Sequence, residues 1–161
     1  MTPELRGLFA QRPGYLDTAS LGVPPSTTVT AMRKVLDGWQ HGRVGAPDFD
    51  EHVRRARTAW ASLTGVDPST VAIGASASAL VGLVAASLPD GARVILPAGE
   101  FTSVVFPFLA HADRGVTVEE RPLEDLAGFD GPADLVAVSA VQSADGRVVD
   151  LPAVRAAATA A

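Results

Sequence analysis

At 161 residues, with 47% hydrophobic and 19% charged side chains, the chain is long enough to bury a core and too apolar to be disordered. Its net charge of -5 argues against nucleic-acid binding, which depends on clustered Lys and Arg, and the absence of Cys removes disulfides, thiolate nucleophiles and Cys-based metal sites. The start shows no secretory signal, and the longest apolar tract, Ala79 to Leu88, is shorter than the about 20 residues a bilayer span needs. No nucleic-acid or membrane partner is expected, and cytoplasmic residence is the default.

After a turn-rich stretch around Asp17 to Ser26, the residues Val29, Met32, Leu36 and Trp39 recur at helical spacing, with Pro25 and Ser26 suited to a helix start. This helix is expected to end near Gly42. A second amphipathic helix places Phe49, Val53, Ala56, Trp60 and Leu63 on one face, and Gly65 fits a C-terminal cap. The basic run Arg54 to Arg57 reads as its solvated side. Both helices are read as packing elements.

From there the pattern changes. Short apolar runs, "TVAIG", "RVILP", "VTVEERP" and "DLVAVSAV", are separated by helical segments at Ala77 to Leu88 and Thr102 to Ala110, by a polar loop, and by a closing helix from Leu151. Strands that are continuous apolar runs alternating with helices indicate an α/β fold with a mostly parallel sheet covered on both faces. The expected division is an N-terminal helical segment, 1–66, and a partial α/β large domain, 67–161. The final "LPAVRAAATAA" carries no helix stop signal, so the domain is expected to be incomplete at its C-terminus.

In open α/β sheets ligands bind beyond the carboxyl ends of the strands, which directs attention to three loops. In "GASAS", Gly74 permits a tight turn, Ser76 can cap the next helix, and the amides of Ala75, Ser76 and Ala77 offer N–H groups to an anion. A simple cap with close packing explains the same residues. The stretch is neither a Walker A motif nor a full dinucleotide fingerprint. In "PAGEFTSVVFPF", Phe101 is either a ring offered to a planar ligand or a core aromatic. In "SAVQSADGRVVDL", Gln142 and Ser143 offer hydrogen bonds to a ligand edge or belong to a turn closed by Asp145 and Gly146.

In order and spacing, "YLDTASLGVPP", "VAIGASASAL", "PAGEFTSVVFPF" and "VAVSAVQSADGRVVDLPAV" resemble the class V aminotransferase family of pyridoxal-phosphate enzymes. That family includes cysteine desulfurases, kynureninases and isopenicillin N epimerase-like proteins. The resemblance implies a pyridoxal 5'-phosphate cofactor, an amino-acid substrate and a homodimeric full-length parent. It makes Ser76, beside the Ala75 and Ala77 amides, the phosphate-binding hydroxyl. Phe101 falls where the family stacks a ring, often His, on the pyridine, and Gln142 where a Gln meets the phenolic oxygen. Phe101 in place of His, and Ala140 where many members carry His, weaken the desulfurase reading. The family's Schiff-base Lys and pyridine-pairing Asp are implied to follow a stretch like the present C-terminus. Lys34 is the single Lys, on the early helix, and is not assigned that role. The chain alone is expected to be inactive, with no catalytic residue of its own. The alternative is a non-catalytic remnant or interaction module with an α/β fold.

Overall fold

The computed structural model describes residues 2–10, 13–18, 20–129 and 131–160. Ala19, Asp130 and Ala161, which fall in stretches read above as turn, loop and closing helix, lie outside the described residues. The chain divides into two units, residues 1–73 and 74–161.

The first unit is helical: α1 (Pro3–Arg6), α2 (Ser26–Gln40) and α3 (Asp50–Thr64). The expected helix starts and stops are met. Pro25 is the residue before α2, and Gly65 ends α3 in the left-handed conformation at φ 73°, where its N–H donates to the Ala61 carbonyl at 2.8 Å. After α2, Gly42 turns the chain at φ 66° and brings Val44 back onto Gly38. A Cβ on Gly38 would lie 2.5 Å from Val44 Cγ2, so only glycine admits this return.

The apolar faces of these helices differ from their reading as packed surfaces. Met32, Leu36, Trp39, Trp60 and Leu63 are all more than half exposed, while Gly38 and Ala61 are buried. Helical periodicity states that a face avoids water; it does not state which segment covers it.

The second unit contains α4 (Ala77–Ser87), β1 (Arg93–Pro97), α5 (Thr102–Leu109), β2 (Thr117–Arg121), β3 (Leu135–Val136) and α6 (Leu151–Ala160). Its three strands form a parallel sheet in the order β2-β1-β3, with Val94 opposite both Val118 and Leu135. The mixed α/β class with a parallel sheet is therefore observed. Strand β1 explains the two-sided cover. Val94 and Leu96 join Ala85, Ala92, Val105, Phe108 and Val116 on the side of α4 and α5, while Ile95 between them packs with Leu126, Val149 and Val154 on the other. All three central residues of β1 are fully buried.

Two expected strands are corrected. Residues 71–74 of "TVAIG" join no strand, and of "DLVAVSAV" only Leu135 and Val136 join the sheet, with Val141 in an isolated antiparallel bridge to Val148. An apolar run becomes a strand only where a neighbour supplies a ladder. Among the described strands none pairs with residues 71–74, and β3 departs after the Ala137 N–H reaches the Ile95 carbonyl at 2.9 Å.

Phe108 is 1% exposed and Phe106, two residues away on α5, is 61% exposed. Phe108→Ala should therefore cost about 3–5 kcal/mol of unfolding free energy, and Phe106→Ala less than about 1 kcal/mol, measured by urea denaturation. Equal costs would show that the core side of α5 is misassigned.

Candidate functional site

Because β1 and β3 are parallel neighbours, the segments that follow them leave the sheet at the same edge. Between Ser87 and Arg93 only a short turn reverses the chain, and α4 packs beside β1 in one cluster, so the start of α4 lies toward that same edge. The three loops singled out by the sequence thus belong to one end of the second unit.

The first loop caps α4. Ser76, extended at φ -156°, accepts the Ala79 N–H on its Oγ at 3.2 Å, and its carbonyl accepts the Leu80 N–H. The N–H groups of Ala75, Ser76, Ala77 and Ser78 have no acceptor among the described residues, and all four residues are exposed. Free donors at the positive end of an 11-residue helix suit an anion. Gly74 has a different cause from the tight turn expected. Its φ is not left-handed, but a Cβ there would meet Leu80 Cδ2 at 2.6 Å and Cγ at 2.7 Å. What approaches the backbone at Gly74 is a side chain of the next helix.

The second loop leaves β1 through Gly99, at φ 79°, and reaches Glu100 and Phe101. Phe101 precedes α5, and the residue is 53% exposed, outside the core clusters of this unit. The third loop follows β3. Gln142 opens a tight hairpin in which its N–H donates to the Arg147 carbonyl and its carbonyl accepts the Gly146 N–H, both at 2.9 Å, with Gly146 at φ 75°. Ser143 lies exposed in this turn.

Gln142 is 4% exposed and held from inside the chain. Its Nε2 donates to the Ser139 carbonyl at 3.0 Å and to Glu100 Oε2 at 3.3 Å, and its Oε1 has no donor among the described residues. Glu100, 7% exposed, also accepts the Phe101 N–H at 2.8 Å, the Ser139 N–H at 2.7 Å and the Ser139 hydroxyl at 2.7 Å. One carboxylate thus ties the loop after β1 to the loop after β3. Sequence reading missed Glu100 and Ser139. The available signal was an acid placed directly after an apolar strand and a glycine turn, where solvation is poor.

Burial raises the Glu100 carboxyl, and the hydrogen bonds from Ser139, Phe101 and Gln142 together outweigh it, so the group is held below its ordinary value. Its contribution to stability is then complete above the unfolded value of about 4.3 and is lost as pH falls through the lower folded value. The stability gap between the unaltered chain and Glu100→Gln, followed by urea midpoints, should be widest near neutrality and narrow on acidification. A gap that does not change with pH would contradict this.

No three His, Asp or Glu side chains cluster to hold a metal among the described residues, and none of the helices described is long and apolar enough to cross a membrane.

No protein-family model and no curated protein sequence matches the chain. Solved structures do. The chain superposes on a variant of C-DES with glycine covalently linked to its PLP cofactor at TM-score 0.77 and 22% identity, covering 97% of this chain and 46% of that one. It matches the cystine C-S lyase C-DES in complex with its product cysteine persulfide at TM-score 0.76 and 23% identity, covering 95% and 44%. It matches the apo cysteine desulfurase from Thermococcus onnurineus NA1 at TM-score 0.79 and 19% identity, covering 99% and 45%. The chain spans a little under half the length of these enzymes. Over that span it has their fold, the PLP-dependent transferase-like α/β fold that the resemblance to class V aminotransferases implied.

Proposed function

We propose that the chain forms part of a pyridoxal-phosphate enzyme acting on an amino acid, of aminotransferase class V type, and supplies the phosphate and ring walls of its cofactor site. The observation that supports this most is the gathering of unmatched α4 amides, a half-exposed Phe101 ring and the Gln142 amide at one end of a unit whose fold is shared with a PLP-linked enzyme. Function does not follow from fold, so the weight rests on these groups.

The residues present fit the group. The N–H donors of Ala75, Ser76 and Ala77 match a phosphate dianion, the Phe101 face matches a planar ring, and the Gln142 side-chain amide matches a polar substituent on the edge of that ring. When bound, the cofactor supplies an electron sink for substrate carbon. This chain's part is to bind and orient: α4 anchors the phosphate end, and Phe101 and Gln142 fix the tilt and rotation of the ring.

Lys34, the single Lys, is carried by α2 and is not given the Schiff-base role. On this reading the chain offers no Schiff-base amine of its own and is inactive by itself. Catalysis belongs to a full-length, homodimeric parent that is cytoplasmic, and transamination, elimination or epimerisation are the reactions open to it. A C–S lyase or desulfurase activity is that of the structural neighbours, and Phe101 in place of a ring His weighs against desulfuration here. The exposed Trp39 and Trp60 favour the second reading, a non-catalytic interaction module.

Ser76 separates these readings. Ser76→Ala should weaken PLP retention by about 1.5–3 kcal/mol and also cost about 1 kcal/mol of stability through the lost cap. Ser76→Gly should lose the same retention with a stability cost of only a few tenths of a kcal/mol, since glycine is tolerated at this position. PLP titration alongside thermal melts checks both. Retention unchanged in both variants would remove Ser76 from the site, and no PLP binding by the unaltered chain would favour the interaction module.

A further inference from the structure

Glu100 and Gln142 are the two buried polar side chains among the described residues, and they are bonded to each other. Burying a carboxylate is unfavourable, and a well-packed apolar residue in its place is often no worse for stability. A core that needed only cover would be served by Leu or Met. Glu100 instead accepts four hydrogen bonds from two loops that no other side-chain hydrogen bond joins among the described residues: Phe101 N–H on its own loop, and Ser139 N–H, Ser139 Oγ and Gln142 Nε2 across from it.

Two of these bonds, from the Phe101 N–H and from Gln142 Nε2, hold groups of the proposed site. The Phe101 N–H bond sets the main chain from which the exposed ring projects. Both Nε2 hydrogens of Gln142 are taken by Glu100 and the Ser139 carbonyl, so the amide is turned with Oε1 outward. We propose that Glu100 is a positioning residue for the cofactor site, holding the ring of Phe101 and the side-chain amide of Gln142 in one fixed arrangement. The proposal rests on the cofactor reading above and extends it to a residue that touches no ligand. It acts through Gln142 and Phe101 alone.

The test uses the 161-residue chain, PLP as probe followed by its absorbance, and thermal melts on every variant. Glu100→Gln should weaken PLP binding by about tenfold or more, the effect of losing a hydrogen bond that a charge assists. Ser139→Ala, which removes one donor to Glu100 Oε1, should weaken it in the same direction by less. On a Gln142→Ala background, Glu100→Gln should lose much of its effect, because the two act as one unit. The side-chain amide resonances of Gln142 should shift in Glu100→Gln and in Ser139→Ala without PLP present.

PLP affinity unchanged in Glu100→Gln, or effects of Glu100→Gln and Gln142→Ala that simply multiply, would reduce Glu100 to a structural residue and leave the cofactor reading standing. If Glu100→Gln does not fold, Ser139→Ala decides: unaltered affinity with unshifted Gln142 resonances overturns the proposal. An unaltered chain that gives no saturable change with PLP overturns the cofactor reading and the positioning role together.

Discussion

The second unit depends on one strand having no solvated face. Val94, Ile95 and Leu96 of β1 are fully buried, and because side chains alternate across a strand, covering them requires layers on both sides. On one side α4 and α5 bring Ala85, Val105 and Phe108; on the other lie Leu126, Val149 from the segment before α6, and Val154 of α6. Parallel pairing with β2 and β3 then forces each crossover to return to the same end before the next strand begins. The gathering of the three loops at one edge follows from this burial. None of them needs contact with the others to get there.

Burial places the loops only coarsely, and a binding site needs its groups held far more closely. The Glu100 carboxylate supplies the finer constraint, since its short bonds to Ser139 and Phe101 span the gap between the two loop starts. The charge is tolerated because four donors replace the water it lost, and those donors also keep the carboxyl ionised. The α4 cap is a different kind of device. There the amides are left unmatched and exposed, which costs little in water and leaves them ready for an anion.

Much of this was legible in the sequence because periodicity and caps are local. The bounds of α2, α3, α4 and α5 follow from apolar spacing with Pro25, Ser76, Gly65 and the run before Ala110, and the parallel sheet follows from strands such as "RVILP" with no polar alternation. What was not legible is what depends on a partner distant in sequence. "TVAIG" and most of "DLVAVSAV" are apolar enough for strands, yet pairing decides the matter and they find little. Gly74 looked like a turn residue, but its reason sits six residues on, in Leu80. Glu100 was passed over because its four partners include three groups about 40 residues away, which no local pattern displays.

In the proposed site the α4 start forms one wall and Phe101 with Gln142 the other, around one pyridoxal phosphate. Mapping amide chemical-shift changes while PLP is titrated into the isotopically labelled chain tests it directly. Saturable shifts are expected to concentrate at Ala75 to Ser78, with smaller ones at Phe101 and at the Gln142 side chain, and none that saturate at Lys34. Shifts centred elsewhere, or at the α4 amides without Phe101 and Gln142, would contradict it.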